Sequence, residues 1–122
     1  MEVKISKELV SAVLQIDIKD ISIIGSTLNY TIPNHETEED GELVYIDLGQ
    51  NINIYEFAFK CKEWALDQNC CIRSYILKQE KKGRTKLEYH YLANMPSEVF
   101  EEDTEVEAII KACEWILKEI QI

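Results

Sequence analysis

"TEVEAIIKACEWILKEI", residues 104–120, carries the clearest helical period in the chain. Its apolar side chains recur at Val106, Ile109, Ile110, Cys113, Ile116, Leu117 and Ile120, a spacing that gathers them on one side of an α-helix. Thr104 and Glu107 form a T-x-x-E capping box at its start. The wording has an echo upstream, because KACEWIL at 111–117 repeats KCKEWAL at 60–66. That earlier phrase lies in NINIYEFAFKCKEWALDQN, residues 51–69. There Ile54, Phe57, Ala58, Cys61, Trp64 and Ala65 share a helical side, and Asn53 with Glu56 matches a capping box. Two helices with like faces are expected to meet a common surface. Trp64 and Trp115 hold equivalent places at the edges of their stripes. A tryptophan there covers the seam between helix and sheet, or anchors a contact with a second copy.

What lies between the helices reads as a β-hairpin. In CCIRSYILK (70–78), Ile72, Ser74 and Ile76 point one way and Arg73, Tyr75 and Leu77 the other. KLEYHYLANM (86–95) alternates likewise, and Gly83 in QEKKGRT suits the joining turn. PSEVFEED (96–103) reads as a short loop opened by Pro96. Ahead of both helices, SKELVSAVL (6–14) makes helical turns capped by Ser6. ISII and LNYTI read as strands around a Gly-Ser turn, with Pro33 ending the run. NHETEEDGE (34–42), with five acids, reads as a solvated loop, and ELVYIDLG (42–49) as a strand broken by Gly49. The expected fold class is α+β: an antiparallel β-sheet with two long α-helices packed on one face. One domain is expected over residues 1–122, a β-rich part at 1–50 joined to a helix–hairpin–helix part at 51–122.

Composition narrows the function. The chain has 122 residues, is 46% apolar and carries a net charge of −10. That is a globular composition with an acidic surface, a poor match for polymeric nucleic acid or an anionic membrane. Charges interrupt MEVKISKELV, so it lacks the apolar run of a signal peptide, and a cytoplasmic location is expected. Cys61, Cys70, Cys71 and Cys113 show no C-x-x-C spacing and read as reduced thiols, with no metal or cofactor expected.

No phosphate-cradling glycine loop, G-x-S-x-G or H-E-x-x-H occurs. Cys71 with His90 is the best nucleophile–base pair available, and both are ordinarily packing residues, so an enzyme is not expected. Binding is easier to derive. The N-terminus of the last helix offers free amides and the Thr104 hydroxyl to a phosphate, opposed by Glu101, Glu102 and Asp103 and by the capping role itself. Arg73, in an otherwise apolar strand, calls for an acid to satisfy it, either a ligand or an internal partner such as Glu88. Tyr75, Tyr89 and Tyr91 can stack on a base or simply pack.

Residues 50–122, through CKEWAL, TEVEA and CEWIL, resemble small phage and prophage proteins with a helix–hairpin–helix sandwich, and among these the Thoeris anti-defence sponges. The resemblance implies a non-enzymatic homo-oligomer in the host bacterial cytoplasm. It would bind a cyclic ADP-ribose-type signal made by a TIR-domain enzyme and sequester it intact, starving the immune effector. It places pockets where subunits meet, near the hairpin and the entry to the last helix. By position in this sequence the nominated ligand-binding residues are Arg73, Asn94, Met95, Phe100, Thr104 and Lys111. The alternative is an acidic protein–protein inhibitor or adaptor of a host factor, with no small-molecule ligand.

Overall fold

The computed structural model describes residues 3–89 and 98–119. The chain runs α1 (Lys7–Leu14), β1 (Asp20–Ile24), β2 (Thr27–Glu39), β3 (Glu42–Asn53), α2 (Ile54–Asp67), β4 (Cys70–Leu77), β5 (Lys82–Tyr89), β6 (Glu98–Glu102) and α3 (Glu105–Glu119). It is a mixed α+β protein. Where one sheet was expected there are two, each antiparallel and three-stranded, ordered β1–β2–β3 and β4–β5–β6. Asn53 both ends β3 and caps α2, accepting from the Tyr55 amide at 2.8 Å. The chain therefore leaves the first sheet as a helix, and the second hairpin takes β6 as its third strand.

Four local readings change. The acidic segment 34–42 is not a loop: β2 runs through it to Glu39 and turns at Asp40–Gly41. Both turn residues have positive φ (51° and 80°), the geometry of a tight hairpin turn that Asp-Gly favours. Charge does not exclude a strand whose two faces are both wet. Pro33 does not end β2, because it sits at a bulge where the register slips between Ile32 and His35. Gly49 does not break β3 and pairs with Thr31. Residues 98–102 are strand β6 rather than loop.

The core forms where α2 and α3 meet. All six residues of the expected α2 face are buried. So are Val106, Ile109, Ile110, Cys113 and Ile116 of α3, with Leu117 partly buried; Ile120 lies outside the described residues. Small side chains allow the approach, with Cys113 Sγ 3.6 Å from the Cys61 carbonyl. Leu9 and Val10 of α1 and Leu28 of β2 close the same core. Ser6 ties the chain's start to α3: its Oγ accepts from the Leu9 amide at 3.1 Å and donates to Glu114 at 2.8 Å. Trp64 is buried within the core and Trp115 packs partly buried against it.

The first turns of α3 rest on β4 and β5 where side chains are small. Ser74 Oγ donates to Glu105 at 2.6 Å, and buried Thr85 donates to the Ala108 carbonyl at 3.1 Å. Two residues along β5 from Thr85, a Cβ on Gly83 would collide with the main chain of Thr104 and Glu105. Backbone cannot yield as a flexible side chain can. The substitution Gly83→Ala is therefore expected to cost about 3 kcal/mol, read as a lower urea midpoint at unchanged slope. A variant as stable as the parent would contradict this contact.

Candidate functional site

The structure divides the nominated residues among three places. Thr104 stands at the start of α3 and Lys111 about two turns further along it. The Thr104 hydroxyl donates to Glu107 at 2.9 Å and accepts from the Glu107 amide at 3.2 Å, so the capping box is closed upon itself. Lys111 pairs with Glu102 at 2.7 Å. Here Lys4, Ser6, Glu102, Glu107, Lys111 and Glu114 line an open cleft of about 560 Å³. Three carboxylates against two lysines make it a poor seat for a phosphate. Phe100 points inward to Trp115, with ring centroids 6.2 Å apart and planes inclined by 57°. Asn94 and Met95, together with His90, lie outside the described residues.

Arg73 is elsewhere, on the face of the second sheet that alternates away from Cys70, Ile72, Gly83, Thr85 and Leu87. It is exposed and pairs with Glu88 at 3.5 Å, the internal partner foreseen from the sequence. Strand register surrounds it with Tyr75, a stacking candidate from the sequence, and with cations that sequence reasoning assigns to the hairpin turn. Arg73 stands opposite Lys86, Tyr75 opposite Arg84, Arg84 opposite Glu101, and Lys86 opposite Val99. Both arginines of the chain thus share one face with Lys86, Lys82 and the exposed rings and methyls of Tyr75 and Val99.

Arg84 is the organising residue of that face. It donates to Glu101 at 2.7 Å, and hydrogen bonds to Glu101 and then Tyr75 hold its guanidinium more firmly charged than usual. Its Nε is covered, with no acceptor among the described residues. The available signal was alternation: a strand starting at Lys82 puts Lys82, Arg84, Lys86 and Glu88 on one side and Gly83, Thr85 and Leu87 on the other. Reading Gly83 as the turn concealed it. The turn falls earlier, where Lys81 takes a positive φ of 54° and donates to the Leu77 carbonyl at 2.7 Å.

Among the described residues, no three His, Cys, Asp or Glu side chains converge as a metal site. No described helix is long and apolar enough to cross a membrane. Cys61, Cys70 and Cys113 are buried and Cys71 is half-buried. Burial, then the neighbouring Cys113, pushes the Cys61 thiol well above its ordinary value.

The native state therefore keeps the Cys61 proton at a pH where the unfolded chain has released it. Stability is expected to fall as pH climbs past the ordinary thiol value, and to be flat in this respect below it. In native protein an aromatic disulfide reagent should modify Cys71 promptly and the other three cysteines only on unfolding. Prompt reaction of all four would contradict the packing. No family model matches this chain, and neither a curated protein nor a solved structure matches it significantly.

Proposed function

We propose that the protein is a phage anti-defence sponge: a non-enzymatic homo-oligomer in the bacterial cytoplasm that sequesters a cyclic ADP-ribose-type nucleotide and so silences Thoeris-like immunity. The observation that carries this reading is the gathering of Arg73, Arg84, Lys86 and Tyr75 on one exposed sheet face of a chain whose net charge is −10. In this reading both long helices brace the opposite face of the second sheet, which leaves the cationic face free. Two guanidiniums suit the two phosphates of such a ligand, since their forked donors bind oxyanions in pairs. Tyr75 offers a ring to the base. A ligand that draws the Arg84 guanidinium outward also gives its Nε an acceptor. Capture needs no chemistry, only tightness. A dissociation constant near 10 nM corresponds to about −11 kcal/mol, within reach of a few charged hydrogen bonds plus a buried base once a second protomer supplies another wall.

A second reading has an observation of its own. The β2–β3 hairpin carries Glu36, Glu38, Glu39, Asp40 and Glu42 near its end, beside exposed Leu43 and Tyr45. Such an arm suits a basic protein surface, as an acidic inhibitor or adaptor requires.

One experiment separates the readings. The protein is incubated with cyclic ADP-ribose isomers, freed of unbound nucleotide and heat-denatured, and the supernatant is analysed. The sponge reading expects intact nucleotide, with Arg84→Gln and Arg73→Gln each weakening uptake at least about tenfold. Altered nucleotide would instead mean an enzyme. Absence of uptake across the panel would overturn the sponge and leave the adaptor.

A further inference from the structure

We propose that β3 is a self-recognition strand, pairing antiparallel with β3 of a second copy so that two three-stranded sheets become one of six strands. The inference rests on the oligomeric part of the reading above and not on its ligand.

The hairpin needs support that the described residues do not give. β1 pairs only with Thr27–Thr31, so from Pro33 to Asp47 the hairpin is a two-stranded ribbon among the described residues. Such ribbons are marginal in water. Yet this one displays Leu43, Tyr45 and Ile46 at 64%, 65% and 44% exposure. Its outer edge is also lightly guarded. Natural edge strands are blunted by charge, lysine above all, or by proline, a bulge or brevity, and the charges of β3 are Glu42 at its start and Asp47, which Lys19 neutralises at 2.7 Å. β1 is five residues long, and the bulge and Pro33 belong to β2. β3 is twelve residues long and has neither Lys nor Pro.

The edge's hydrogen-bonding groups are identifiable. The Lys19 amide donates to the Thr31 carbonyl at 2.8 Å, so Thr31 turns its main chain toward β1 while Tyr30 and Ile32 turn toward β3. Their partners Gln50 and Leu48 face inward. Alternation along β3 then turns the N–H and C=O groups of Leu43, Tyr45, Asp47 and Gly49 outward. These are the donors and acceptors that a second strand would take.

Charge disfavours one register, and the apolar row of Val44, Ile46 and Leu48 selects another that only a second copy matches. A twofold axis at Asp47 would oppose two aspartates. An axis at Ile46 opposes Ile46 to itself, Val44 to Leu48, Tyr45 to Asp47, Leu43 to Gly49 and Glu42 to Gln50, with no like charges facing. Val44, Ile46 and Leu48 then form one apolar row across both copies. The two acidic hairpin ends lie at opposite ends of the joint sheet. Each reaches the partner strand just short of its helix-capping asparagine, where the positive end of a helix favours acid. A foreign strand would have no reason to match this pattern at every position.

Ile46 opposite Ile46 is a pair without mutual hydrogen bonds, in which side chains approach closely enough for a disulfide. The test is made without nucleotide, in a Cys71→Ser background. The full chain is expected to sediment as a dimer or a multiple of one. Ile46→Cys should cross-link to itself under mild oxidation, whereas Leu43→Cys, facing glycine, should not. Tyr45→Pro removes an outward N–H without touching the β2–β3 ladder and is expected to halve the sedimenting mass with an unchanged circular dichroism spectrum. A monomeric parent chain, equal cross-linking at residues 43 and 46, or an oligomer in which Ile46→Cys stays uncross-linked would each overturn the proposal. Nucleotide uptake by a monomer would overturn it while leaving the ligand reading intact.

Discussion

The first turn of α3 lies on a patch of sheet where side chains are small. Gly83 permits the contact, and Ser74 and Thr85 convert it into hydrogen bonds to Glu105 and Ala108. This close approach fixes the helix against β4 and β5. It also places Val106, Ile109, Ile110 and Cys113 where α2 can meet them through its own small residues. A side chain at Gly83 would lift the helix and open the core of which α2, α1 and β2 form the rest. The kinship of KCKEWAL and KACEWIL has a physical basis here. Each phrase supplies small residues for the helix–helix approach and a tryptophan that packs in or against the core.

The same strand that takes α3 on one side presents its charges on the other. Gly83, Thr85 and Leu87 lie under the helix, and Lys82, Arg84, Lys86 and Glu88 alternate away from it. Packing thus fixes the spacing of the cations, because the two sets cannot move independently. Arg73 and Tyr75 join them by register from β4. The acid-lined cleft beside Lys111 offers less. Ser6 and Lys111 there are engaged with neighbouring glutamates, whereas Arg73 on the sheet face is held, among the described residues, by a long ion pair with Glu88.

Much of this was legible in the sequence where burial imposes a period. The six-residue face of α2, the Thr104–Glu107 box, the Ser6 cap and the inward–outward alternation of Ile72 and Arg73 follow from spacing alone. What was not legible lay where glycine, proline and charge serve unusual ends. Gly83 is present for a close approach and not for a turn, a distinction that only the partner helix reveals. Pro33 is absorbed by a bulge, and the acidic run continues as strand because nothing buries it. The third strand of the second sheet is β6, a segment whose acids disguise a half-buried strand. The cationic face was missed for the same reason as the turn, since Arg84 had been placed at a hairpin tip.

Native-state hydrogen exchange, read residue by residue at low denaturant, tests most directly whether the seating of α3 on the second sheet governs the fold. The slowest amides are expected in α2, α3, β4 and β5, opening together at the global unfolding free energy. If the α3 amides exchange by a separate opening of lower free energy while the second sheet stays protected, that close approach does not hold the molecule together.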